Sequence, residues 1–360
     1  MNKNKKIGLD CRCLSIKGGT RNYALNLIKN LLDIDRENEY YIFYNSKNFL
    51  GTFNQENVKE VALNFNIKPL YFIWDQIIVP FFCVKYKINV IHGLKNTVPL
   101  ITLSKKISTI HDLIPVLFPS SMKFADSIYW KLTFFIVSKF KTSLIFVSNS
   151  TKDDFLKLYK TKNSYKVIYH GYLNKNITKT DNKKEKVVLY VGALEKRKNI
   201  PRLIEAFNKL TIEYPEYKLF LVGKPGHEDI EIDKQIKHFQ LENKVIKKGF
   251  VSNEELEELY LTSMLCAYIS AYEGFGLPIL EAQSKGLPVL TSNTSSMKEI
   301  GEGSSLLTDP NNTEEIFQGM KKIIEDINYR EELTQQGFKN VERFSWEKCA
   351  LQTLNVYNEL

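Results

Sequence analysis

Short apolar runs alternate along this chain with stretches whose apolar residues recur every three to four positions. Residues 6–11, 40–44, 89–92, 107–111 and 144–147 read as strands buried on both faces. Residues 19–32 carry apolar side chains at 24, 25, 27, 28, 31 and 32, the stripe of one helix face. Residues 120–140 and 151–158 also read as helices. A second cycle starts at 187, with strands at 187–191, 218–222, 244–247, 265–269 and 288–291. Helices are expected at 201–211, 253–260, 277–284, 313–326 and 329–343. Strands alternating with helices predict parallel sheets covered on both sides.

The stretch 174–186 breaks the rhythm. It is polar and Lys-rich and reads as a linker. The expected organisation is an N-terminal doubly wound domain at 1–173, the linker, a second such domain at 187–343, and a terminal segment at 344–360 that reads as an amphipathic helix. Doubly wound sheets bind ligands beyond the carboxyl ends of their strands, so a cleft between the two domains is the expected site.

Length and composition agree. The 360 residues allow about two domains. At 43% apolar and 25% charged, the chain is neither a disordered segment nor a small disulfide scaffold. The formal charge of +9 is uneven: residues 1–172 carry +13 and residues 187–360 carry −7. The basic half could meet an anionic membrane surface or a phosphorylated acceptor. No apolar run after the basic N-terminus is long enough for a signal peptide, and 70–84 is interrupted by Asp75, Gln76 and Pro80. A cytoplasmic location is expected. Five cysteines, an odd number, suit reduced thiols, and Cys11 and Cys13 read as small core side chains.

Four motifs fall just after strands. Gly18-Gly19-Thr20-Arg21 opens the first helix, where backbone N–H groups can approach an anion. His111 ends a strand, and Asp112 could orient it. Arg197 and Lys198 follow Gly192 at the end of the first strand of the second half and could neutralise two phosphates. In Glu273-Gly274-Phe275-Gly276-Leu277-Pro278-Ile279-Leu280-Glu281, two carboxylates bracket the start of a helix. Carboxylates suit the hydroxyls of a sugar and a ribose, and the helix N-terminus between them suits a diphosphate. Asp33-Ile34-Asp35 and Glu231-Ile232-Asp233 have the spacing of a metal-holding pair but read as solvated turns. No zinc, serine-nucleophile or cysteine–histidine signature is present.

The segment from Glu273 to Glu281 resembles the Glu-x7-Glu signature of retaining glycosyltransferases of the GT-B fold, in particular the bacterial group one, or family four, type. Gly18-Gly19-Thr20-Arg21-Asn22-Tyr23, His111-Asp112-Leu113, Val147-Ser148-Asn149-Ser150, Val191–Asn199, Gly249-Phe250-Val251, 288–292 and Phe344-Ser345-Trp346 resemble further segments of that family. Ala193, Lys196 and Ile269 depart from it, standing where the family carries Arg, Pro and Pro.

The resemblance implies an α/β GT-B protein whose two Rossmann-like domains close on a nucleotide-sugar donor, with the last helix crossing back to the first domain. It implies catalytic roles for Glu273, on the donor sugar and transition state, and for His111, near the reacting carbon. Donor-binding roles fall to Gly18, Gly19, Arg197, Lys198, Val251, the backbone of Gly276, Leu277, Pro278 and Ile279, and Glu281 on the ribose. No cofactor and no divalent metal are implied. The donor is expected to be GDP-mannose, with a UDP-sugar or dTDP-rhamnose as alternatives. The acceptor is expected to be a glycan or lipid-linked glycan of surface polysaccharide, such as lipopolysaccharide. A nucleotide-sugar epimerase would convert donor without acceptor, and a non-enzymatic sugar-binding protein would be exported. No nucleic-acid module is recognisable. Residues 129–141 mix aromatics with Lys and could lie on anionic lipid, placing the protein at the inner face of the cell membrane.

Overall fold

The computed structural model describes residues 4–15, 18–65, 71–172, 184–226 and 228–360. Most of the expected linker, 174–183, lies outside them. The chain divides into two compact units. The first comprises Met1–Leu117, Phe124–Gly171 and Phe344–Leu360, and the second Phe118–Lys123 and Tyr172–Arg343. The short insertion 118–123 joins the second unit, where the Phe118 ring lies 5.6 Å from that of Tyr272.

The first unit holds seven strands among the described residues: β1 Lys6–Asp10, β2 Glu39–Tyr44, β3 Val58–Ala62, β4 Val90–Gly93, β5 Lys105–Ile110, β6 Ser143–Phe146 and β7 Tyr165–Val167. They run parallel in the order β3-β2-β1-β4-β5-β6-β7. The second unit holds β8 Val187–Val191, β9 Lys218–Val222, β10 Val245–Gly249, β11 Leu265–Tyr268, β12 Val289–Ser292 and β13 Leu306–Thr308. These are parallel in the order β10-β9-β8-β11-β12-β13. In each sheet the strand order reverses once, between β1 and β4 and between β8 and β11. A crevice opens outside the carboxyl ends at such a point.

Apolar runs become these central strands because both faces are covered; all four positions of β4, β6, β11 and β12 are buried. Helices start where a side chain satisfies a free N–H: Ser148 accepts from Thr151 N, and Ser345 from Lys348 N. The last helix, Trp346–Asn358, lies against helix Gly19–Ile34 in the first unit, and its Trp346, Cys349, Val356 and Tyr357 join that unit's core.

Several expectations are corrected. The helix expected at 120–140 is a 3₁₀ turn, Pro119–Ser121, followed by helix Phe124–Lys139. Asp35 is no solvated residue: it is buried and accepts from Asn38 Nδ2 and Tyr40 OH, both at 2.7 Å. Glu231–Asp233 lies inside helix Asp229–His238, with Asp233 paired to Lys247. Cys11 and Cys13 are both buried, but Cys13 sits in a 3₁₀ turn, so a shared strand face is not the reason.

Candidate functional site

In the second unit, the loops after β8 and β11 meet at the point where strand order reverses. After β8 the backbone passes Gly192 at φ +153°. A Cβ on Gly223, itself at φ +144°, would stand 2.0 Å from Gly192 O, so the loops after β8 and β9 touch through backbone. A 3₁₀ turn, Lys196–Lys198, then ends at Asn199 in left-handed geometry, and helix Ile200–Glu213 begins. The turn presents Arg197 and Lys198 toward the loop after β11, and Ala271 N donates to Arg197 O at 2.7 Å.

Glu273 occupies the meeting point at 8% exposure. Its Oε2 lies 2.7 Å from Arg197 Nη1, and its Oε1 lies 2.5 Å from Lys198 Nζ. Tyr268 OH donates to Oε1 at 3.0 Å and accepts from Lys198 Nζ at 2.5 Å. The ammonium also lies 4.7 Å from the Tyr268 ring centroid. The Glu273 carbonyl accepts from Ser295 Oγ at 2.7 Å and Ser296 Oγ at 2.9 Å, which fixes the backbone under the carboxylate. Burial alone would raise this carboxyl. The charges of Lys198 and Arg197 outweigh that and hold it down at about 2. Burial pulls Lys198 below the usual range, opposed by Glu273.

Gly276, at φ +122°, turns the chain into helix Leu277–Ser284. Pro278 has no N–H, so it cannot donate as expected. Ile279 N already bonds Gly276 O at 3.1 Å. Any ligand contact from this helix start therefore comes from the backbone of Gly276 and Leu277. Glu281 sits one turn inside, partly buried, and accepts from Tyr260 OH at 2.8 Å. Burial raises its pKa, and the Tyr260 hydrogen bond and then Lys198 partly offset this. Lys198 is thus within electrostatic reach of both glutamates. Val251 follows Gly249, which is at φ +68° after β10, and is partly buried.

Arg197 is less available than expected. Its Nη2 pairs with Glu195 at 2.9 Å while Nη1 holds Glu273. Two cations and two carboxylates form a neutral cluster. Tyr268, Glu195 and Tyr260 were not anticipated. Tyr268 closes a buried strand and carries the one hydroxyl in its run, the signal that could have marked it.

In the first unit, Gly18 at φ +144° caps helix Gly19–Ile34. A Cβ at Gly18 or Gly19 would meet nothing within 4 Å, so no internal packing requires Gly19. His111 is buried after β5. Its Nε2 lies 2.8 Å from Leu94 O, and its N–H donates to Asn96 Oδ1 at 2.8 Å. A carbonyl only accepts, so Nε2 carries the proton and Nδ1 keeps its lone pair. Burial pushes the imidazole down to about 4, so it is neutral at pH 7. The ring is set by Leu94 O and by edge contact with Tyr23, 4.8 Å away. Asp112 accepts from Ile114 N, and Leu94 O orients the His111 ring. Among the described residues, no group of three or more His, Cys, Asp or Glu side chains could hold a metal ion, and no helix is long and apolar enough to cross a membrane.

These are the features of a doubly wound α/β protein with a carboxylate–cation cluster at one reversal point. The family model described as "Glycosyl transferases group 1" matches residues 174–340. O-antigen chain mannosyltransferase B of Escherichia coli is 39% identical over 173 residues, 48% of this chain and 45% of that protein. O-antigen chain mannosyltransferase RfbU of Salmonella typhimurium is 28% identical over 232 residues, 64% of each chain. The crystal structure of Anabaena HepE in complex with UDP and glucose superposes with a TM-score of 0.77 at 19% identity, covering 99% of this chain and 100% of that one. The chain carries a group 1 glycosyltransferase domain at 174–340, and its two units have the GT-B fold. It spans about half the length of the curated relatives it matches.

Proposed function

We propose that this protein is a retaining, metal-independent glycosyltransferase. It transfers a hexose from a nucleoside diphosphate sugar to a glycan or lipid-linked acceptor of surface polysaccharide, at the inner face of the cell membrane. Mannose from GDP-mannose is the donor reading, supported by the names of the Escherichia coli and Salmonella relatives. The single observation that carries the proposal is Glu273, held ionised by Arg197 and Lys198 beside the N-terminus of the helix that bears Glu281.

In this reading the diphosphate competes with Glu273 for Arg197 and Lys198. As phosphate takes over the cations, the carboxylate turns to the donor sugar's hydroxyls. The backbone N–H groups of Gly276 and Leu277 add the positive end of the helix. Glu281 accepts from ribose hydroxyls, and Val251 borders the base. Gly18 and Gly19 leave their backbone open to close approach by phosphate. His111 Nδ1 accepts from a sugar hydroxyl.

As the bond from the anomeric carbon to the leaving phosphate oxygen lengthens, positive charge develops on the sugar ring, and Glu273 stabilises it. The acceptor oxygen bonds the anomeric carbon on the same face. Its proton passes to the departing diphosphate, so configuration is retained without a covalent enzyme intermediate. The negative charge on the diphosphate is met by Arg197, Lys198 and the helix N-terminus, which is the support for metal independence.

Thermal melting with GDP, UDP and TDP tests the donor class. A nucleotide at 100 times its dissociation constant adds roughly 2.7 kcal/mol. Stabilisation by GDP alone supports the mannose donor, and stabilisation by UDP or TDP alone replaces it. Stabilisation by none removes the nucleotide-sugar reading. Conversion of donor without acceptor would identify an epimerase instead.

A further inference from the structure

Two helical segments of the first unit carry a second apolar stripe that faces outward. Along Phe124–Lys139 the exposed residues Phe124, Ile128, Leu132 and Phe135 recur at helical spacing. The buried side of the same helix carries Ser127, Phe134, Val137 and Ser138, with Phe134 and Val137 in the unit's core. A helix that covers a sheet buries one apolar face and needs no second one toward solvent. Segment Tyr71–Tyr86 repeats the arrangement: Phe72, Ile77, Phe81 and Val84 are exposed, while Trp74, Asp75 and Val79 face inward. The loop between β4 and β5 adds Ile101 and Leu103, 86% and 99% exposed.

These three segments form one surface. Tyr129 OH donates to Asp75 Oδ2 at 2.9 Å, and Arg12 Nη2 lies 3.2 Å from the same oxygen, which locks the two helical segments side by side. Phe72 and Leu132 line one small cavity. Gln76 Nε2 donates to Val98 O, and Leu100 N donates to Gln76 Oε1, which ties the loop down. Val84 and Leu103 border a second cavity whose wall also carries Lys87 and Lys105.

The charge around this surface is predominantly positive, with Asp126 the exposed exception. Lys85, Lys87, Lys105, Lys131, Lys139 and Lys141 are exposed. Over residues 71–106 and 124–141 the acidic side chains are Asp75, which is buried, and Asp126. A second copy of the chain docking here by two-fold symmetry would bring this basic fringe against itself. Aliphatic and aromatic side chains fringed by Lys fit the boundary between acyl chains and anionic headgroups.

We propose that this face of the first unit, formed by 71–86, 101–105 and 124–141, docks onto an anionic phospholipid bilayer. The proposal rests on the membrane placement given under the proposed function and adds the surface responsible. The test is co-sedimentation of the full chain with phosphatidylcholine vesicles, with and without phosphatidylglycerol. Wild type should bind the phosphatidylglycerol vesicles only. Lys85→Glu with Lys139→Glu should weaken binding at least about 25-fold, at about fivefold per lysine. Phe81→Ser with Leu132→Ser should weaken it on the order of tenfold per side chain.

The nucleotide-induced thermal shift should be unchanged in both variants, which shows that they fold. If wild type binds and both variants bind equally well, this surface is wrong and the membrane placement stands. If wild type binds no vesicle, both fall. If wild type is instead a dimer that the variants convert to monomer, the face is a self-interface and the proposal is overturned.

Discussion

Lys198 Nζ stands 2.5 Å from Glu273 Oε1, and the same ammonium donates to Tyr268 OH. The lysine belongs to the turn after β8 and the glutamate to the loop after β11. Their contact therefore closes the reversal point of the second sheet with two opposite charges. Both are nearly inaccessible to water, Lys198 at 7%. A buried pair of this kind is costly to break from one side, because the remaining charge loses its partner.

Lys198→Met should lower unfolding stability by about 3–5 kcal/mol. Adding Glu273→Gln should restore part of that loss, since the orphaned charge goes with it. Urea denaturation of the single and double variants measures this. Equal losses that simply add would mean the two residues are not coupled.

The depressed Glu273 carboxyl gives a pH signature. Its folded value, about 2, lies below its ordinary 4.5, so its stabilising contribution is full above about 4.5 and is lost as pH falls towards 2. It stays ionised through the neutral range, so no acidic limb of the transfer rate above pH 4.5 should vanish in Glu273→Asp. The histidines act earlier. Burial pushes His92 to about 3 and His111 to about 4, and takes His170 well below its ordinary 6.5. Unfolded chain then binds protons that folded chain does not, and stability should fall as pH drops from 6.5 towards 4. Melting temperature against pH should show that slope in wild type and a shallower one in His92→Gln.

Gly223→Ala should be among the most damaging single-methyl changes in the second unit. It adds a Cβ 2.0 Å from Gly192 O at a backbone angle that side chains avoid. Gly276→Ala has more room, with Ile279 Cδ1 at 3.3 Å, but the same conformational strain at φ +122°. Calorimetry should rank Gly223→Ala as the larger loss, and Gly276→Ala should weaken nucleotide binding as well.

Tyr260 OH gives Glu281 its one side-chain hydrogen bond among the described residues. Tyr260→Phe should leave the fold intact and weaken nucleotide affinity about 10- to 100-fold, the worth of a hydrogen bond to a charged group. Isothermal titration with the nucleotide that stabilises wild type checks it. Unchanged affinity would remove Glu281 from the ribose.

Much of this architecture is legible in the chain itself. Runs such as 187–191, 218–222 and 277–284 match the observed elements to the residue, and in the two strands burial of most positions writes a nearly continuous apolar signal. Short outer strands such as β3, β7 and β13 are not legible, since half-exposed edges carry mixed residues. Glu273, Glu281, Arg197 and Lys198 stand out through their place after strands. Their pairing does not, because it joins side chains from loops far apart in sequence. The outward stripe on Phe124–Lys139 is not legible for a related reason. This helix carries apolar residues on its buried and its exposed side, so periodicity does not tell one from the other.

The most direct test of the central claim is sugar transfer by Glu273→Gln, with the anomeric configuration of the wild-type product read by NMR. The account predicts retention of configuration in the product and a transfer rate lower by at least about 100-fold in the variant, with its melting temperature still raised by the nucleotide. A variant that transfers at the wild-type rate, or a product of inverted configuration, would contradict it.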